Sequence, residues 1–162
     1  TVHTVPWPHP GHADLTLTLR PPGTVRGQRH RGRGGLVLWQ DPTSYLMVNT
    51  WLDDDFAGSS VSVFFHLDGF EDVFDAVWVN VGDGIAHGTD YRLRTVLDDG
   101  HLLVAVDDTP VLYRHLTDVE PRTTGLAVTR VGLLANWEWG TDTGTLFHRL
   151  EARTRSPQVA GS

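Results

Sequence analysis

From Ala13 to Arg20 the chain reads Ala-Asp-Leu-Thr-Leu-Thr-Leu-Arg, with apolar side chains on odd positions and polar ones on even positions. A period of two sends successive side chains to opposite faces of an extended segment, so this octapeptide predicts a strand with one buried face. Similar runs follow near 35–40, 44–52, 60–67, 75–81, 90–97, 101–107, 110–116, 126–138 and 145–153, and residues 1–5 alternate in the same way. Turn formers separate them, including Pro21-Pro22-Gly23, Asp41-Pro42, Asp68-Gly69, Gly82-Asp83-Gly84, Asp99-Gly100, Asp108-Thr109-Pro110 and Gly140-Thr141-Asp142. No stretch keeps a helical period for three turns; a short helical turn fits only Asp68 to Asp75. Many short strands at this spacing predict an antiparallel sandwich or barrel.

Parity within each strand then sorts core from surface. Leu46, Val48 and Leu52 share one face of their run, leaving Tyr45, Met47, Asn49 and Trp51 on the other. Val61, Val63, Phe65 and Leu67 form a core row, leaving Ser62, Phe64 and His66. Val77, Val79 and Val81 face inward, leaving Trp78 and Asn80. In the last central run Val131, Leu133, Ala135, Trp137 and Trp139 are expected inside, with Asn136 and Glu138 outside. Together with Leu15, Leu17, Leu93 and Val104, the central members of these rows make up the expected core. A one-residue slip would exchange the two faces of any strand.

The 162 residues are enough for one core without disulfides, and the chain has no Cys. A single domain over residues 1–153 is expected, followed by a flexible tail over 154–162. Every one of the 13 basic residues is Arg, and the net charge is −7. Residues 1–50 carry five Arg against Asp14 and Asp41, whereas the remainder carries eight Arg against 18 acids. The acidic balance argues against nucleic-acid binding, which needs a basic face. The basic stretch from Arg26 to Gly35 is read as a solvated flexible loop. No run is long and apolar enough to span a membrane. The chain reads as a mature or excised domain of a longer exported protein, with an extracytoplasmic location expected.

Three segments carry a resemblance. Tyr91 to Val96, Asp99-Gly100, Leu102 to Asp107 and Pro110 to Leu112 form a strand, tight turn, strand, Asp turn, strand series; Gly34 to Trp39 followed by Tyr45 to Val48 forms an early hairpin; Val131 to Leu134 forms a late strand. This series resembles the concanavalin A-like jelly rolls, a superfamily of lectins, carbohydrate-binding modules, laminin G-like domains and laminarinase-type glucanases. The resemblance implies an all-β, two-sheet antiparallel sandwich, and it permits one structural calcium ion. Its enzymes' motifs do not carry over. Neither a Glu-x-Asp-x-x-Glu strand nor a Gln-Ile-His or Gln-Val-His strand is present, and Glu71-Asp72-Val73-Phe74-Asp75 has a different spacing.

The non-core parity holds the candidate chemistry. Asn49 with Trp51, Phe64 with His66, Trp78 with Asn80, and Asn136 with Glu138 place aromatic rings beside amide and ionisable groups on four strands. Water alone calls for no large aromatics, and a second core would not take so many hydrogen-bonding groups. Aromatic surface bordered by fixed polar groups suits a sugar, which stacks its C–H face and bonds through its hydroxyls. The leading expectation is therefore a carbohydrate-binding, lectin-like module with an oligosaccharide ligand on a concave face, without catalysis. A glycan-active enzyme is the second reading, with Glu138 as acid or base, His66 or Asp75 as its partner, and Trp51 and Trp78 as platform. It lacks a placed second carboxyl at the separation that glycosidase chemistry requires. A laminin G-like protein-interaction module is the third. Asp53 and Asp55 are the calcium candidates, although their cluster lacks an ordered ligand loop. His3, His9 and His12 are read as surface residues of a Pro-rich entry segment.

Overall fold

The computed structural model describes residues 2–22, 31–53, 59–71, 77–134 and 145–153. Their alternation resolves into β1 (Val2–Pro6), β2 (His12–Arg20), β3 (Arg31–Asp41), β4 (Ser44–Asp53), β5 (Ser59–Leu67), β6 (Phe70–Glu71), β7 (Val77–Gly82), β8 (Tyr91–Asp98), β9 (His101–Val106), β10 (Thr109–His115), β11 (Arg130–Leu134) and β12 (Leu146–Arg153). One helical turn, α1 (Leu116–Val119), and a 3-10 turn over Pro121–Thr123 complete the described elements. The strands make two antiparallel sheets. A seven-stranded sheet runs β1-β11-β3-β4-β5-β6, with β7 also paired to β5, and a five-stranded sheet runs β10-β9-β8-β2-β12. The chain passes between the sheets at β1 to β2, β2 to β3, β7 to β8, β10 to β11 and β11 to β12, as a jelly roll requires.

Turn chemistry sets the hairpins. Asp68-Gly69, Asp99-Gly100 and Asp107-Asp108 all have positive φ, the conformation of two-residue turns whose twist matches that of antiparallel strands. Asp41 anchors the β3–β4 turn by accepting from the Thr43 backbone N–H at 2.8 Å and from the Thr43 hydroxyl at 2.7 Å.

Leu15, Leu17, Leu93 and Val104 from the smaller sheet meet Val48, Val63 and Phe65 from the larger, all buried. Val79 and Leu133 have the expected parity but are only partly buried against this core. Neither is central in its sheet: β7 has only β5 as a neighbour, and β11 is next to the edge strand β1. The Tyr91 hydroxyl on β8 hydrogen-bonds the Thr50 hydroxyl on β4, so one polar contact spans the sandwich.

The structure changes five expectations. Arg31 to Gly35 belong to β3, with Arg31 opposite Asp53, because pairing with β4 extends the strand into the basic stretch. Residues 126–129 precede β11 and are not strand. Leu116 opens α1 where a strand end was expected. His12 opens β2, paired with Asp98, and is half-buried. The proposed helical turn at 68–75 is a turn and β6 as far as Glu71, and its remainder lies outside the described residues. The tail over 154–162 also lies outside them.

Candidate functional site

The outer face of the seven-stranded sheet is built by register. Gly35, Asn49, Ser62 and Trp78 are consecutive cross-strand partners over β3, β4, β5 and β7. One step along the strands Trp51, Ser60 and Asn80 make the next row, and at the other end Trp39, Tyr45 and His66 make another. Two aromatic groups result, and they differ in geometry.

Trp39, Tyr45 and His66 stack face to face, with centroids 4.8 and 4.5 Å apart and planes within 16° and 10°. Most of their ring faces are therefore spent on one another. Trp39 and Tyr45, with Phe64, also pack around Val37, Met47 and Leu134, a small second apolar cluster on this face. Trp39 was missed in the sequence. Its signal is its parity, since it alternates with the core residues Leu36 and Leu38.

Trp51, Phe64 and Trp78 form the second group. Trp51 lies 5.3 Å from Trp78 at 39° and 6.1 Å from Phe64 at 46°, tilted rather than stacked. Its indole N–H donates to the Ser62 hydroxyl at 2.6 Å, which fixes the ring's edge. Trp78 is 47% exposed, one of the few large hydrophobic side chains open to water among the described residues. It thus presents indole surface to solvent against a held neighbour.

The polar candidates have distinct environments. Asn80 is exposed, and its Oδ1 accepts from the Gly82 backbone N–H at 2.7 Å, so its carbonyl is engaged locally at the end of β7. Asn49 has the expected parity but is 2% exposed, and its Oδ1 is buried without a hydrogen-bond partner. Gly35 makes room for it: a Cβ there would lie 2.7 Å from that oxygen and 2.1 Å from the Val48 carbonyl. His66 Nδ1 is likewise buried and unpartnered. Of the predicted residues, Trp51, Phe64, Trp78 and Asn80 come together around the exposed indole, whereas His66 belongs to the stacked group and Asn49 to the buried floor. Asn136, Glu138, Asp75 and Asp55, the inward reading of Trp137, and the side chain of Asp53 lie outside the described residues. Among the described residues no three His, Asp or Glu groups converge to hold a metal ion, and no helix is long and apolar enough to cross a membrane.

The two sheets make a concanavalin A-like jelly-roll sandwich, the fold also seen in galectins. A tetrameric galectin from the ball sponge Cinachyrella superposes with a TM-score of 0.69 at 15% identity, over 95% of this chain and all of that one. Galectin-Ib from Xenopus laevis gives 0.64 at 13% identity, over 94% of this chain and 100% of that chain. The carbohydrate-binding module CBM66 from Bacillus subtilis gives 0.63 at 14% identity, over 94% of this chain and 78% of that chain. No protein-family model matches the sequence, and no curated protein does.

Proposed function

We propose that the chain is a carbohydrate-binding, lectin-like module that seats a sugar on Trp78, with Trp51 and Phe64 as the fixed wall and Asn80 as a polar contact. The observation that carries this reading is the half-exposed indole of Trp78, held beside a pinned Trp51 at an open, tilted angle. An aromatic face in water gains most from a ligand with an apolar surface and a polar rim, and a pyranose ring has both. The solved neighbours named as galectins and as a carbohydrate-binding module support the same class.

A glycan array on the chain, followed by titration of the best ligand, tests the proposal. Trp78→Ala should lower affinity at least about tenfold, since binding energy concentrates in aromatic anchors, and Asn80→Ala should lower it less. Glu138→Gln should retain most of the affinity if that residue only binds. Turnover of a glycoside that Glu138→Gln abolishes would establish the enzyme instead. An array without any ligand, alongside capture of a protein partner through the same tryptophans, would replace the sugar with a protein surface.

A further inference from the structure

On the outer face of the five-stranded sheet, one cross-strand row is rich in metal-ligating side chains. His12 in β2, Asp98 in β8, His101 in β9 and His115 in β10 are consecutive partners in the register. His12 Nδ1 lies 3.6 Å from Asp98 Oδ1. His101 and His115 are tighter, with ring centroids 4.5 Å apart and planes at 67°. Each ring has its Nδ1 engaged by a hydroxyl: Tyr113 OH lies 3.0 Å from His101 Nδ1, and Thr117 Oγ1 lies 2.6 Å from His115 Nδ1.

We propose that His101 and His115 form a two-point site for a divalent transition cation, represented by Zn2+, on the outer face of the β9–β10 hairpin. Residues directly opposed across an antiparallel pair hold their Cβ atoms about 4.5–5.5 Å apart, which lets two imidazoles reach one ion at about 2.0–2.1 Å each. When Nδ1–H of each ring donates to its hydroxyl, the tautomer is fixed and the Nε2 lone pair is left for the metal. This is the way imidazole ligands are ordinarily oriented by an outer partner. Asp98, next in the row, contributes negative potential toward an incoming dication. Two imidazoles select zinc, copper or nickel over calcium or magnesium, which take oxygen ligands. Water fills the remaining positions, in keeping with the lack of a third converging group among the described residues. The site is on the opposite sheet from Trp78, so it does not depend on the sugar reading.

The experiment is a Zn2+ titration of the chain by calorimetry, with imidazole 15N shifts followed by NMR. The site predicts one bound Zn2+ that moves the Nε2 resonances of His101 and His115. His101→Asn and His115→Asn should each weaken binding at least about tenfold, and the double variant should abolish it. Tyr113→Phe, which only releases the outer partner of His101, should weaken it less while the same nitrogens still respond. Melting without metal should stay near the wild-type value in all of these, as His101 and Tyr113 are exposed and His115 is only partly buried. A double variant that binds Zn2+ like the wild type, or wild-type shifts confined to other histidines, would overturn the proposal. The wild-type spectrum decides the matter even if a variant folds poorly.

Discussion

The two sheets turn very different outer faces to the surroundings. On the five-stranded sheet much of the outward parity is charged and paired, beside the His101, Tyr113 and His115 group. Arg94 donates to both carboxylate oxygens of the buried Asp14 at 3.0 and 2.8 Å, Arg92 reaches Asp108 at 2.7 Å, and Arg20 reaches Asp90 at 2.7 Å. The Asp14 hydrogen bonds push the Arg94 guanidinium further toward its charged form. On the seven-stranded sheet the same parity carries Trp39, Tyr45, Trp51, Phe64 and Trp78 around a small apolar cluster. Ion pairs satisfy a face that looks onto water, whereas exposed indole does not. A period of two alone would have made the two faces equivalent. What separates them is the chemistry of the residues that the core does not use.

That contrast can be broken first at the core, which both faces need. Phe65 is 1% exposed between the sheets, so Phe65→Ala should lower stability by about 3–5 kcal/mol in chemical denaturation. A loss below about 1 kcal/mol would mean that the inner and outer rows of β5 are exchanged. The aromatic face gives a smaller and graded effect. Trp51→Ala removes a half-buried ring and its bond to Ser62 and should lower stability by roughly 1–3 kcal/mol, whereas Trp78→Ala should stay below about 1 kcal/mol. Equal losses would show that Trp78 is packing rather than platform.

The charged face should yield the smallest effect, and one that depends on pH. A hydrogen bond from Arg20, helped by the charges of Arg20 and His148, holds the Asp90 carboxyl below its ordinary value of 3.8. A depressed folded-state value stabilises above the unfolded value and is lost as the pH falls through the folded one. Melting curves from about pH 7 down to about pH 2 should therefore show a shallower acid decline for Asp90→Asn than for the wild type. The pair is exposed, so the difference is small. An identical acid limb would remove Asp90 from the account.

Alternation was a reliable guide wherever strand and core coincide. In β2, β4 and β5 the inward rows were legible residue by residue, and the Asp-Gly and Asp-Asp turns were legible from their backbone demands. Trp51 and Trp78 were recognisable as outward for the same reason. The sequence left open how outward residues from distant strands share space. Asn49 and Trp78 have equivalent parity, but one is buried with an unpartnered oxygen and the other is half in water.

By itself, then, the sequence determined the class of fold, the main turns and the sidedness of β2, β4, β5 and β7, because these follow from short-range backbone geometry and a period of two. Tertiary structure decided that Arg31 to Gly35 join a strand, since β4 runs alongside all five and β11 reaches Gly35. It also decided that Trp39 stacks on Tyr45 and His66 while Trp51 tilts toward Trp78, and that His101 meets His115. Each of these depends on which strands become neighbours and in what register, and pairing between residues far apart in the chain is not written in any local pattern.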